Sequence, residues 1–377
     1  MKVAVITRHA ISNYGSLLQA IATQKLIEGL GDACEIIDYV RTDEEPQNWE
    51  KTTLSCKVGW NNSLLKKGIY LVLRAPESIK AGRKFAEMQK KYLHLTSRYH
   101  SQADLKCNPP EADLYMTGSD QVWGPVCNGS YDSAYFLSFV PEHKGKVAFA
   151  ASMGKMKLDD TAQGIFEQYL PAYRNIAVRE DTVADFLRKN GIVSNTVLDP
   201  TLMLDGDTWR KFVKDKKKDR SSLVPKGKYI LVYQIHNGKE LNACAKEISK
   251  RLGLPLLRVS PMFHQISRGG KFVYLPDVTD FLNLIDNASF MMTDSFHGTA
   301  FAINFNTPFA EILPDSGTSS RNVSILNLTG LSNRIVTNQE QLDKLEMSVD
   351  FSNANRTLNE KRNESMAILK YMLKKID

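Results

Sequence analysis

Residues 291 to 312 read MMTDSFHGTAFAINFNTPFAEI. An apolar run ends in Thr293-Asp294-Ser295, and His297-Gly298-Thr299 opens what reads as a helix. Asp294 or Ser295 can cap that helix start through a side-chain oxygen. Capping makes no demand on His297. An imidazole at a strand end titrates near neutral pH and suits acid/base work, whereas the plain alternative is a buried histidine held by its cap. Three further stretches place chemistry-bearing side chains at strand-end turns. AVREDT puts Arg179 beside Glu180 and Asp181; its guanidinium suits a carboxylate or phosphate, or else forms a weak surface pair with those acids. SGTSSRNVSIL sets Arg321 after a glycine-containing turn as another anion clamp. TGSDQVWGP supplies Ser119, Asp120, Gln121 and Trp123. There Asp120 can orient a sugar hydroxyl and Trp123 can stack on a pyranose face, or the polar residues are simply turn formers. Near the start, ISNYGSLLQA brings Asn13, Tyr14, Gly15 and Ser16 to a second helix opening, where backbone amides can receive an anion or Asn13 and Ser16 merely cap. One histidine and two arginines at such turns point to a phosphorylated carboxylate as substrate.

The elements that must carry these groups follow an α/β rhythm. KVAVIT (2–7) reads as a buried parallel strand, Leu17–Leu30 as a helix ended by Gly31, and CEIIDYV as the next strand. Strand–helix–strand at this spacing implies a parallel sheet. The rhythm returns at ADLYMTG, KVAFAASMG, NIAVRED with a helix over 181–190, and NTVLDPTLML. It repeats at YILVYQI, a helix Lys239–Leu252, PLLRVS, a helix 277–287, SFMMTD, HGTAFAINF and PFAEIL. With 377 residues, the length favours two domains. The reading is an α/β fold of two Rossmann-like domains with parallel sheets and a cleft between them. Residues 1–205 form the first domain, with a basic helical insertion near 60–100. Residues 206–355 form the second, and 356–377 a C-terminal helix. The charged stretch FVKDKKKDRSSLVPKGK (212–228) suits a boundary or surface connection. In the insertion, LLKKGIYLVLRAPESIKAGRKFAEMQKKY is expected to be helical and interrupted by Pro76. Its basic side is either a solvated hairpin face or a contact for an anionic membrane surface or lipid-linked substrate.

Composition narrows the classes. Hydrophobic residues make up 42% and charged residues 24%, as in ordinary globular proteins, and the net charge of +7 favours anionic partners. Cys34, Cys56, Cys107, Cys127 and Cys244 are scattered without CxxC spacing, so neither a zinc site nor a disulfide framework is expected. MKVAVITRHA is too short in apolar residues for a secretory signal, and no window approaches the ~18 apolar residues of a membrane span. A cytoplasmic protein is expected, at most peripheral to the inner face of the membrane. GxGxxG, Walker and GxSxG patterns are absent, which lowers dinucleotide, ATP and serine-hydrolase readings.

Taken in order, NYGSLLQA, TGSDQVW, AVRED, VLDPTLML, TDSFHGTAFAINFNTPF and SSRNVSILNLTGLSNR resemble the polysaccharide pyruvyl transferase family from about residue 3 to 336. The resemblance implies a glycosyltransferase-B-like architecture. It implies phosphoenolpyruvate as donor and a nucleotide- or lipid-linked saccharide acceptor that receives pyruvate, usually as a ketal, in exopolysaccharide or capsule synthesis. No other cofactor, no metal and no nucleic acid are implied. Carried over by position are His297, Arg179 and Arg321; read from the residues beside them, His297, Asp120 and Asp294 are the expected catalytic set. Arg179, Arg321, Ser295, Gly298 and Thr299 hold the donor, and Asn13, Tyr14, Gly15, Ser119, Gln121 and Trp123 the acceptor. Many members carry arginine two positions before the histidine, where this chain has Ser295. Donor binding then relies on other cations, or the donor differs. A nucleotide-sugar glycosyltransferase of the same architecture is the main rival. A non-catalytic polyanion binder is a weaker one, since no nucleic-acid motif is present.

Overall fold

The computed structural model describes residues 1–55, 63–126, 129–154, 160–216, 223–236, 238–313 and 319–374. Cys56, Cys127, part of the charged stretch 212–228, the Ser316–Thr318 portion of the turn before Arg321, and Lys375 lie outside the described residues. The chain divides into two compact units: Met1–Pro200 with Asn363–Asp377, and Thr201–Arg362.

The first unit contains β1 (Lys2–Ile6), α1 (Tyr14–Glu28), β2 (Ala33–Ile36), α2 (Pro46–Ser55), α3 (Leu64–Tyr92), α4 (Gln102–Cys107), β3 (Leu114–Thr117), β4 (Gly145–Ala151), α5 (Asp160–Tyr169), β5 (Asn175–Val178), α6 (Asp181–Lys189) and β6 (Asn195–Thr196). Its sheet runs β2-β1-β3-β4-β5-β6 with every pairing parallel. β1 and β3 are neighbours in space with β2 on the far side of β1, so the connections diverge between them. At such a switch point the loops at the strands' carboxyl ends part and leave a crevice.

α7 (Pro200–Met203) begins at the division. Then follow α8 (Gly206–Lys216), β7 (Ile230–Tyr233), α9 (Glu240–Leu252), β8 (Leu256–Ser260), β9 (Lys271–Tyr274), α10 (Val278–Asp286), β10 (Phe290–Thr293), α11 (Phe296–Phe305), β11 (Phe309–Glu311), α12 (Ser319–Leu328), α13 (Gln339–Asp343) and α14 (Ser352–Met372). The second sheet runs β11-β10-β7-β8-β9, again all parallel, with its switch point between β7 and β10. The end of α14 belongs to the first unit, where the Leu198 amide donates to Ser365 Oγ at 3.0 Å. In the second unit Arg362 donates to the Leu202 carbonyl and to Asn304 Oδ1, both at 2.8 Å.

Two sequence expectations change. Pro76 does not interrupt its helix: α3 runs unbroken from Leu64 to Tyr92 around it. A mid-helix proline costs about 3 kcal/mol, and packing against α2 supplies a counterweight. The Glu50 carboxylate of α2 accepts from Tyr70 Oη at 2.7 Å and from Ser78 Oγ, one donor on each side of the proline. Hydrogen bonds to a charged acceptor contribute about 1.5–3 kcal/mol each, enough to hold the two halves in line. Gly82 lies against the Pro46 ring so closely that a Cβ there would overlap it at 2.3 Å.

The second change concerns Trp123. Its indole is fully buried, stacked on Phe136 at 5.7 Å between centroids and flanked by Phe166 and Tyr173, both at 6.1 Å. Nε1 donates to the Tyr135 carbonyl at 3.3 Å. Neither face is open to a pyranose, because aromatic side chains from α5 and the segment between β3 and β4 occupy the surrounding space. Trp123 is a core residue of the first unit. Trp123→Ala should therefore cost about 3–5 kcal/mol of stability, read as a lower denaturation midpoint in urea; an unaltered midpoint with weakened saccharide binding would return the residue to the surface.

Candidate functional site

Both switch points gather polar side chains. In the first unit, β1 ends at Ile6 and the chain loops through Thr7–Asn13 into α1, while β3 ends at Thr117 and turns through Gly118-Ser119-Asp120. Thr7 Oγ1 donates to the Ser119 carbonyl at 2.7 Å and accepts from Gln19 Nε2 at 2.8 Å, which ties the two loops together. Asp120 takes a left-handed backbone, φ 73°. That conformation is uncommon outside glycine, and here it is held from several sides. The Ser152 amide donates to the Asp120 carbonyl at 3.1 Å. The carboxylate accepts from the Gln121 amide at 2.8 Å and from Ser16 Oγ at 2.6 Å. Ser16 therefore serves Asp120 and Asn13 caps α1, accepting from the Gly15 amide at 2.8 Å. Tyr14 is turned inward with its ring 5.1 Å from Phe85, and Ser119 is fully buried. Within the acceptor set, Asn13 and Gln121 keep partial exposure, whereas Tyr14, Ser119 and Trp123 are enclosed.

Arg179 leaves the end of β5, and its guanidinium reaches a carboxylate twenty residues on. Nη1 pairs with Asp199 Oδ2, the two side chains being 4% and 1% exposed. Ser119 Oγ donates to the same Asp199 oxygen at 3.3 Å. Glu180 accepts from Ser152 Oγ at 2.5 Å. Burial draws the Arg179 pKa down, but Asp199 first, then Glu180 and Asp120, outweigh it and hold the guanidinium charged. An anion reaching Arg179 thus meets a cation already shared with a buried carboxylate, not the weak surface pair read from its neighbours. Breaking such a pair from one side costs about 3–5 kcal/mol. Arg8 adds a second cation. It pairs with Glu44, lies 5.9 Å over the Tyr135 ring, and is held charged by Glu44, Tyr135 and Asp120 against its burial. Asp199 lies in the VLDPTLML stretch and Arg8 in the loop after β1, but neither is marked as a charge partner by the sequence alone.

In the second unit Asp294 follows β10 and closes the switch point to β7. Its two carboxylate oxygens accept the amides of Ile235 at 2.7 Å and His236 at 3.0 Å, and His236 Nδ1 lies 3.5 Å away. Ser295 caps α11, its Oγ accepting from the Gly298 amide at 3.3 Å. Gly298 is required by closeness: a Cβ there would stand 2.3 Å from Thr293 Oγ1. His297, 7% exposed, sits in the first turn of α11 with its ring 5.1 Å from Phe296. Arg321, in the first turn of α12, lies 5.7 Å over that same Phe296 ring. The tertiary fold thus brings the predicted histidine and the late arginine against one phenyl group. A helix N-terminus adds partial positive charge to both.

Glu311, unmarked by any motif, holds this arrangement together. Fully buried at the end of β11, its carboxyl accepts from Thr299 Oγ1 of α11 and from Asn322 Nδ2 of α12. Thr299 is therefore a clamp between elements. Burial pushes the Glu311 carboxyl well above the usual carboxylate range, against the opposing effect of those two hydrogen bonds. Beside β7, Arg258 is fully buried and among the described residues bonds neutral groups only: Gln234 Oε1 at 3.3 Å, Asn242 Oδ1 at 2.7 Å and the Gly269 carbonyl at 3.4 Å. Burial, and then Arg268, lower it to about 10. Arg268 Nη1 donates to the same Gln234 oxygen at 2.6 Å, so two guanidinium groups share one amide. A cavity of about 720 Å³ opens alongside, lined among others by Gln234, His236, Asp294, Cys244 and Val336. Among the described residues, no three His, Cys, Asp or Glu side chains are gathered as a metal site needs.

A family model described as polysaccharide pyruvyl transferase matches residues 13–315. The chain belongs to that family. It is a family of transferases in polysaccharide biosynthesis, and its match spans both units. No curated protein matches the sequence. Among solved structures, the chain is similar to one described as a UDP-N-acetylglucosamine 2-epimerase from Listeria monocytogenes, at 12% identity and TM-score 0.52, covering 100% of this chain and 97% of that one. It is also similar to the UDP-GlcNAc 2-epimerase of Methanocaldococcus jannaschii, at 14% identity and TM-score 0.50, with 99% of each chain covered. At these identities the likeness speaks to architecture, which is the glycosyltransferase-B type built from Rossmann-like units.

Glu311 yields a prediction with a defined sign. Its folded-state pKa lies above the unfolded value, so its contribution to stability is complete below the unfolded carboxylate pKa and drains away as pH rises through the folded one. Glu311→Gln keeps an acceptor for Thr299 and Asn322 without an ionisable proton. Its melting temperature relative to the parent should rise steadily between pH 5 and pH 8, and Glu311→Ala should lose about 1–3 kcal/mol. A pH-independent difference between parent and Gln variant would contradict the buried neutral carboxyl.

Proposed function

We propose that this transferase moves the enolpyruvyl group of phosphoenolpyruvate onto a saccharide hydroxyl and closes it as a cyclic ketal. The observation that carries the reading is the pairing of His297 and Arg321 on the Phe296 ring at the start of two helices. A proton carrier next to a fixed cation is what an enol ester with a carboxylate and a phosphate asks for.

In this reading His297 gives a proton to the methylene carbon, and the neighbouring carbon becomes electrophilic as its ester oxygen shares electrons. A sugar hydroxyl attacks that carbon and yields its proton to solvent. The carbon–oxygen bond to phosphate breaks with its electron pair on the phosphate. A second hydroxyl of the sugar then adds and closes the ring. Of the two hydroxyl protons released, one replaces the proton spent by His297 and the other leaves with phosphate, so the reaction balances without a redox partner. Arg321 supports the donor carboxylate or phosphate. Asp294 holds the His236 backbone and the α11 start in register.

Ser295 leaves the donor one guanidinium short of the common pattern. Arg268, which shares Gln234 with the buried Arg258 and is itself partly exposed, is a cation beside the switch point that can make up this deficit. The acceptor is a saccharide, linked to a nucleotide or to a lipid carrier.

Incubation with phosphoenolpyruvate and candidate nucleotide- or lipid-linked sugars should release phosphate only when both are present. His297→Ala should reduce that rate at least about a hundredfold, the scale of a lost general acid, with the melting temperature kept. Transfer from a nucleoside diphosphate sugar in the absence of phosphoenolpyruvate would instead support a glycosyltransferase, and undiminished turnover in the alanine variant would remove His297 from the chemistry.

A further inference from the structure

The solvent face of α3 changes character along its length. Residues spaced by three and four share a helix face. Leu65, Ile69, Val72 and Leu73 meet that rule and are 74%, 47%, 75% and 69% exposed, with Leu64 preceding them at 86%. Among the described residues, no other stretch of ten exposes so many large apolar side chains. Continued toward the C-terminus, the same face carries exposed Lys80, Arg83, Lys90 and Lys91, with Glu87 as its one acid. The opposite face presents Tyr70, Phe85, Met88 and Tyr92 to the core of the unit. The apolar residues are thus the outer side of a helix already anchored by its inner side.

Leucines left open to water at this density mark an interaction surface. The charge pattern selects the occupant. If two copies paired through this face in parallel, one cationic stripe would lie on the other; if antiparallel, each stripe would lose water against the other's leucines without gaining carboxylates. A phospholipid surface offers both halves what they lack, hydrocarbon beneath the headgroups and phosphate among them. The net charge of +7 acts in the same direction. No helix among the described residues is long and apolar enough to cross a membrane, so the contact is one that lies on the bilayer.

We propose that α3 docks the protein on an anionic phospholipid surface, with Leu64, Leu65, Ile69, Val72 and Leu73 entering the acyl boundary and Lys80, Arg83 and Lys90 meeting the phosphates. The docking does not depend on the donor or acceptor of the reaction, and it is tested without either. The full chain is floated with vesicles of phosphatidylcholine alone and of phosphatidylcholine mixed with phosphatidylglycerol. It should float with the mixed vesicles, not with phosphatidylcholine alone, and less as salt rises. The triple variant Leu65→Ser, Ile69→Ser, Leu73→Ser should bind at least about tenfold more weakly, since each side chain forfeits its buried hydrocarbon, with the melting temperature unchanged. Lys80→Gln and Arg83→Gln should each weaken binding roughly fivefold. Failure of the parent protein to float with mixed vesicles, or equal flotation of the triple variant, overturns the proposal. So does a dimer in sedimentation velocity that the triple variant abolishes while vesicles are ignored, which assigns the face to a second copy of the chain.

Discussion

Parallel strands whose connections depart to opposite sides leave a gap at their carboxyl ends, and each group of chemical interest here is arranged around such a gap. In the first unit the gap lies between β1 and β3, in the second between β7 and β10. A gap in a sheet exposes backbone amides that must find acceptors, and side chains from the flanking loops provide them. Asp294 takes the amides of Ile235 and His236, and Asp120 takes that of Gln121. The carboxylates that look catalytic in the sequence are thus also the fasteners of the crevices they line. A carboxylate held by two amides, as Asp294 is, keeps its orientation at the strand end.

Around the fasteners sit buried ionisable groups, each with particular partners. Arg179 shares Asp199 with Ser119, Glu311 is kept as a carboxyl between Thr299 and Asn322, and Arg258 bonds amides and carbonyls. Buried groups of this kind reduce stability relative to an apolar core. They concentrate at functional sites because a displaced pKa or an incompletely neutralised cation is what a charged substrate uses.

α3 answers to different demands on its two sides. Inward, Glu50 bridges the turns before and after Pro76 and lets the helix pass a residue that normally ends one. Outward, a leucine-rich beginning gives way to a cationic continuation. A helix braced by the unit on one side can hold apolar side chains in water on the other without collapsing onto them, at a cost in solubility that a lipid surface would relieve.

Much of the architecture was legible in the sequence because parallel strands buried on both faces leave a plain mark. KVAVI, FMMT and ILVY are continuous apolar runs between turn residues, and helices such as Glu240–Leu252 carry their own stop in Gly253. The capping of α11 by Ser295 and of α1 by Asn13 was equally local, since a cap acts within four residues. β9, KFVY, leaves no such mark, because it opens on an exposed lysine and buries only Val273 fully. What tertiary structure alone decided were the partnerships between distant residues. Arg179 paired with the distant Asp199, Trp123 turned inward among three rings, and Glu311 joined two helices. A chain's order encodes which side chains can cap, bend or bury. Which of them meet depends on sheet order and strand register, and those are settled only when the whole parallel sheet closes its core.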